Sequence, residues 1–352
     1  MIPAREPRAL REAARLLVVG SATATLMDRT VSDLPDLLQP GDLLVVNDAA
    51  TLPASLAART ASGSAVEIRL VAHAGGSDWT AVLLGEGDWT TPTELRVPPE
   101  QISIGTVLEI GHGVEAEVIC IDESLPRLVT IRFLREGAGM WSAIFAYGRP
   151  VQYSYLRRSL DLWSVQTSYG SRPWAVEMPS AGYPLTWRIL LALKRRGVGI
   201  GRLTHAAGLS SIGNEDVDAR LPFAERFDIP QATIDAINAT HKQGCRVIAV
   251  GTTVVRALEG CAKLNNGKLV HGNGVTDLVM DKAFRLSIVD GLLTGIHDPA
   301  QSHFRLMEAF ADESTLRRVW HHATEQGYLC HEFGDVCLIA ADPPRSSRVP
   351  QQ

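Results

Sequence analysis

The run Cys245 to Glu259, CRVIAVGTTVVRALE, sets two hydroxyls, Thr252 and Thr253, directly after a glycine at the end of a short apolar segment. Val247, Ile248, Ala249 and Val250 read as a strand buried on both faces, and Gly251 frees the backbone for the turn. A helix follows, carrying Val254, Val255 and Leu258 with the charged Arg256 and Glu259. In an open α/β sheet, ligands bind beyond the carboxyl ends of the strands, where helix N-terminal amides hold anionic groups. The chemistry such residues suit is the positioning of a polar ligand. A buried strand followed by a Thr-capped helix gives the same pattern, so this segment alone leaves both readings open.

A second segment has the same grammar. QPGDLLVVNDAATLPASL, Gln39 to Leu56, runs from a Pro-Gly turn through a strand at Leu43 to Val46 and ends on Asn47 and Asp48. Amide, carboxylate and hydroxyl groups at neighbouring strand ends suit convergence on one ligand.

Together these segments resemble the S-adenosylmethionine:tRNA ribosyltransferase-isomerase family of queuosine biosynthesis. That family has a Tyr-Gln-Thr segment leading into Ala-Pro-Thr-Ala-Gly-Leu-His-Phe; here VQTSYGSRPWAVEMPSAGYPLT supplies Gln166, Thr167, Tyr169, Pro179, Ser180, Ala181 and Gly182. Thr294 to Asp312 resembles its Thr-Asn-Phe-His-Leu-Pro-x-Ser-Thr run, and EFGDVCLIA its Ser-Tyr-Gly-Asp-Ala-Met-Leu-Ile. The likeness spans nearly the whole chain in the family's order. The departures fall in polar loops. Ala49 and Ala50 stand where the family reads Thr-Arg, so an arginine suited to bidentate anion contacts is absent. Tyr183, Pro184 and Leu185 replace Leu-His-Phe. In LTHAAGLSSI, His205 is kept but Ser210 replaces the second glycine of a Gly-x-Gly pair, and RLPFAERF keeps only Glu225 of a His-x-Met-His-x-Glu motif. Asp298 replaces a leucine beside His297.

The resemblance implies that S-adenosylmethionine donates its ribosyl carbons to an aminomethyl-deazaguanine base in tRNA, with adenine and methionine leaving and the ribose becoming an epoxycyclopentane ring. Such a reaction needs a base beside the sulfonium, donors for departing adenine and a pocket that limits water. The sulfonium supplies the activation, so no metal is expected. His297 is the first candidate for acid-base work, since imidazole titrates near neutrality and Asp298 could tune it; an imidazole that merely satisfies a buried carbonyl is the alternative. His205 is the second, placed in the cleft by the resemblance. Asn47, Asp48, Thr252, Thr253, Arg256, Ser180 and Gly182 are expected to bind S-adenosylmethionine. Glu225 and Asp335 are further acids, each more readily read as structural. His321 and His322 mark an exposed helical face. Two other functions stay open: a diverged paralogue using S-adenosylmethionine on a small-molecule acceptor, by ribosyl transfer, elimination or cyclisation, and a non-catalytic ligand-binding protein.

The 352 residues allow a large two-domain protein, and 45% hydrophobic with 21% charged residues is ordinary for a globular chain. No apolar run reaches membrane-spanning length and no secretory leader is seen, so a cytoplasmic enzyme is the expectation, with no membrane partner. Five cysteines without a C-x-x-C pair argue against a structural zinc site or a disulfide framework, and most are expected in the core. A net charge of −5 gives no global footprint for nucleic acid, so binding tRNA requires a local patch. Arg157 and Arg158 beside Tyr153 and Tyr155 are one candidate. Lys194, Arg195 and Arg196 are another, although cations before Gly197 also complement the end of the helix Trp187 to Arg196.

The elements that must position these residues are an α/β main domain, residues 1–60 and 150–352, with a small antiparallel β-barrel, 61–149, inserted. Before the barrel, a helix, the strand LLVVG, the helix-like VSDLPDLL and GDLLVVND are expected. AVEIRLVAHA, WTAVLL, TVLEIG, VEAEVICI and RLVTIRFL read as barrel strands. After Arg149, TWRILLALKRRG, VGIGRLTHA, PQATIDAINATHKQG and RVIAVGTT restore helix-strand alternation.

Overall fold

Leu43–Asn47 and Val247–Val250 carry apolar side chains with no polar alternation until their final turns, and both are buried along their whole length. That is the pattern of strands covered on two faces. The computed structural model describes residues 1–20, 23–209 and 223–340. Among them is a nine-stranded sheet in the order Gly272–Thr276, Glu225–Ile229, Gly199–His205, Leu43–Asn47, Val247–Val250, Gly291–Gly295, Val336–Ala340, Arg15–Gly20, Leu26–Thr30. Its centre, Gly199–His205 through Gly291–Gly295, is parallel. The pairs at the margins are antiparallel, except that Arg15–Gly20 runs parallel to Val336–Ala340. The carboxyl ends of four adjacent strands therefore open at one edge.

The two-residue period of a strand divides the core. Leu43, Val45, Val247 and Ala249 pack with the helices Gln231–Lys242, Thr252–Leu264 and Glu313–Glu325. Leu44, Val46, Ile248 and Val250 pack on the opposite face with the helix Trp187–Arg195. Each valine, leucine or isoleucine among them, fully withdrawn from water, contributes about 1.5–3 kcal/mol.

Between Asn47 and Gly199 the chain leaves this sheet and closes a six-stranded antiparallel barrel from Ser55–Arg59, Ala65–Gly75, Asp78–Leu84, Leu128–Phe133, Val114–Ile121 and Val107–Gly111. Closure is made where Arg59 pairs with Glu109. The fold is thus mixed α/β with a closed barrel, as the sequence predicts. The barrel strands begin at Ser55, ahead of residue 61.

Two expectations need correction. The helix expected before Arg15 is only a 3-10 turn at Arg11–Ala13, because the preceding residues are drawn into extended pairing between Ile2–Pro3 and Leu329–Cys330. Of the cysteines only Cys261 and Cys337 are buried; Cys120 is exposed and Cys245 and Cys330 are partly so.

An ion pair anchors the amino ends of two central strands. Asp42 is buried just ahead of Leu43, and Arg246 just ahead of Val247. Arg246 donates to Asp42 from Nη2 at 2.5 Å and from its backbone N at 3.1 Å, while Asp42 also accepts the Gln39 amide at 2.9 Å. Removing one member of such a pair strands the other charge in the interior. Asp42→Ala should lower the unfolding free energy by about 3–5 kcal/mol in urea titrations; a loss below about 1 kcal/mol would show that water reaches Arg246.

Candidate active site

Asn47, at the carboxyl end of its strand, uses its whole amide. Its Oδ1 accepts from the backbone N of His205 at 2.9 Å and of Ala49 at 3.1 Å, and its Nδ2 donates to the His205 carbonyl at 3.0 Å and to Thr253 Oγ1 at 3.3 Å. One side chain thus ties two strand ends to the first turn of the helix Thr252–Leu264. Asp48 follows, buried, accepting from Thr204 Oγ1 at 2.6 Å and Ser171 Oγ at 2.9 Å. Burial and then the neighbouring Asp48 charge push the Tyr169 phenol well above its ordinary pKa, keeping it protonated. Its hydroxyl rests on Gly182, where a Cβ would sit only 1.8 Å away, so a larger residue would displace the Tyr169 ring. The turn Ser180–Gly182 also covers Gly251, whose φ of +89° suits glycine and whose Cβ would lie 3.5 Å from Ala181. The structure therefore brings together Asn47, Asp48, Thr252, Thr253, Ser180 and Gly182.

The histidines lie beside this group. His205 is fully buried and neither ring nitrogen has a hydrogen-bond partner among the described residues. Glu225 Oε2 is 3.5 Å from its Nε2, outside hydrogen-bonding geometry, and that carboxylate is ion-paired with Arg256. Burial lowers the His205 pKa to about 4; Glu225 opposes the shift and Arg256 reinforces it. His297 lies just past the strand Gly291–Gly295, with Nε2 3.1 Å from Thr294 Oγ1. Its ring stacks on His303, centroids 4.7 Å apart at 12°. Burial first, then His303, holds His297 well below the usual imidazole range, and His303 is lowered by its own burial and by Arg256. All three imidazoles are neutral at physiological pH, each with one ring nitrogen unprotonated, and only the nitrogens of His205 are both buried and without a partner among the described residues.

Several expected roles change. Asp298 does not tune His297; its carboxylate accepts the Ala300 amide at 2.9 Å and closes its own turn. His297 does not titrate near neutrality, because it is buried beside another imidazole. Arg256, expected to bind ligand, spends its guanidinium on Glu225, the Leu278 carbonyl at 3.0 Å and the Phe223 carbonyl. Asp335 keeps the structural reading, accepting from Arg8 Nη2 at 2.6 Å and from the backbone N of Arg15 and Leu329, both at 2.8 Å. Tyr153 and Tyr155 donate to Glu177 and Glu332, leaving Arg157 and Arg158 exposed beside them. Arg196 pairs with Asp36 at the end of its helix. His321 is exposed, but His322 is tied to Asp28 at 3.0 Å. Ser210 lies outside the described residues.

His303 escaped the sequence reading. Its only signal is its place on the short helix Ser302–Met307, which the turn after His297 folds back against the strand ends.

The three depressed histidines make stability depend on pH with a definite sign. In the unfolded chain each takes up a proton below about 6.5, whereas the folded chain resists protonation, so stability is lost as pH falls through this range. Urea midpoints should drop from pH 7 to pH 5, and the drop should shrink in His205→Gln; an equal drop in the variant would place the linkage elsewhere.

Comparisons with known proteins agree with this architecture. The family described as queuosine biosynthesis protein matches residues 1–339. S-adenosylmethionine:tRNA ribosyltransferase-isomerases are similar over nearly their full length: that of Bradyrhizobium sp. (strain ORS 278) is 33% identical, covering 97% of this chain and 94% of the relative. That of Synechococcus sp. (strain RCC307) is 34% identical, covering 99% and 94%. The crystal structure of S-adenosylmethionine tRNA ribosyltransferase from Thermotoga maritima superposes with a TM-score of 0.52 at 25% identity, covering 96% of each chain. By the extent of these matches, the chain belongs to the queuosine biosynthesis protein family, whose curated relatives are ribosyltransferase-isomerases.

Proposed function

We propose that this protein transfers the ribosyl group of S-adenosylmethionine to a 7-deazaguanine base of tRNA and isomerises it. The observation that carries the reading is the set of buried neutral imidazoles, above all His205 with both ring nitrogens unspent, at strand ends that also hold Asp48 and Thr253. A neutral imidazole accepts a proton from an acidified carbon; an imidazolium does not. His297 is assigned the proton beside the sulfonium, with Thr294 orienting its ring. His205 is assigned a hydrogen bond to the departing adenine. Asn47, Asp48, Thr252, Thr253, Ser180 and Gly182 are assigned to the adenosine and methionine portions, and Tyr169, held protonated, serves as a donor at the Asp48 side. Arg256 positions Glu225 and the strand end rather than touching ligand. The sulfonium supplies the activation, so the reading gives no step to a metal.

The small-molecule acceptor is the weaker alternative, because relatives about a third identical over the whole chain are named for tRNA. A non-catalytic role leaves the neutral imidazoles without a purpose. Action in the cytoplasm goes with a tRNA substrate. Among the described residues no helix is long and apolar enough to cross a membrane.

Incubated with S-adenosylmethionine, the protein should release adenine and methionine only when tRNA bearing the aminomethyl-deazaguanine precursor is present, as read by mass spectrometry. Equal release without tRNA would favour a small-molecule acceptor. His297→Asn should keep S-adenosylmethionine binding by calorimetry and lose turnover about 10²-fold or more; wild-type turnover would make His297 structural. Asp48→Ala and Thr253→Val should each weaken binding, and unchanged affinity in both would remove these strand ends from the ligand.

A further inference from the structure

Ser171, whose hydroxyl donates to Asp48, leads straight into the short strand Arg172–Ala175, which pairs in parallel with Ala49–Thr51. In this register Arg172 lies opposite Ala49 and Pro173 opposite Ala50, so the place of the absent arginine is bordered by a second chain segment that carries its own cation. Trp174 follows, partly exposed. The guanidinium carbon of Arg226 lies 3.9 Å from its ring centroid, and that of Arg172 lies 5.6 Å away. Strand alternation explains the placement. Glu225 and Phe227 face His205 and the core, so Arg226 and Asp228 face the other way, where Asp228 pairs with Arg172.

Arg172 is therefore neutralised locally, while the Arg226 guanidinium has no hydrogen bond or ion pair among the described residues. Lying on an indole, it is fixed through one face and keeps its N–H edge free, the geometry that meets a phosphate. A chain with a net charge of −5 repels a polyanion overall and needs such local cations near the site.

We propose that Arg226, laid on Trp174, is a phosphate contact for the RNA strand that carries the target base at the Asp48 edge of the site. This rests on the tRNA reading above. Trp174 is a positioning residue and Arg226 a binding residue; neither touches the reacting atoms.

The experiment measures binding of precursor tRNA to the full-length protein between about 50 and 200 mM salt, and of S-adenosylmethionine by calorimetry, for wild type, Arg226→Gln, Arg226→Lys and Trp174→Leu. In Arg226→Gln, tRNA affinity should fall about fivefold to tenfold. The slope of log K against log salt should become shallower by about 0.7 to 0.9, the value of one phosphate contact. Arg226→Lys should retain the slope, Trp174→Leu should lose affinity with the slope kept, and S-adenosylmethionine affinity should not change. Unchanged tRNA affinity and slope in Arg226→Gln, with wild type binding tRNA, would overturn this assignment alone. A selective loss of S-adenosylmethionine affinity would overturn it by moving Arg226 to the nucleoside pocket. Failure of the wild type to bind tRNA would overturn the tRNA reading itself.

Discussion

The Asn47 side chain holds the site together. It bonds both backbone groups of His205 and the hydroxyl of Thr253, and so fixes a strand, its neighbour and the first turn of a helix to one another. Parallel strands have no hairpin to set their relative ends; the register comes from the ladder and from contacts such as this one. An aspartate of the same shape would present an acceptor to the His205 carbonyl where Asn47 presents a donor, and the junction would repel. With the strand ends tied, Asp48 is turned toward Thr204 and Ser171, and the backbone of the buried His205 is held on both sides.

The electrostatics follow from that burial. A carboxylate 3.5 Å from a histidine ordinarily draws a proton onto the ring, but Glu225 is already paired with Arg256, whose own charge disfavours an imidazolium. Glu259, one helical turn further along, accepts backbone N–H bonds from Ser287, Ile288 and Val289 at 2.9 to 3.2 Å and so pins the helix that carries Arg256. The helix serves mainly as a rigid support. Arg256 and Glu259, conspicuous in the sequence, both bond to the surrounding frame.

Much of this was legible in the chain. The runs at Leu43 to Val46 and Val247 to Val250 could be read as doubly buried strands because apolar side chains fill both pleat directions, and Gly251 with Thr252 marked the helix start. The alternating segments between Ala65 and Phe133 announced a barrel. What the sequence did not reveal depends on tertiary neighbours. The His297 and His303 stack joins a strand end to a short helix, the Trp174 and Arg226 contact joins strands far apart in the chain, and the fate of Asp298 was decided by a local turn that competes for its carboxylate. The extended amino terminus likewise depends on a partner strand near residue 330, which local propensity does not record.

The histidines at this edge of the sheet are neutral because they are buried, and this is open to direct measurement. A pH titration of the imidazole resonances by NMR, with His205, His297 and His303 assigned by single substitutions, reads each protonation state separately. His205 should titrate at about pH 4, and neither His297 nor His303 should be protonated at neutral pH. Titration of His205 or His297 at or above about pH 6.5, the value of an unperturbed imidazole, would contradict it.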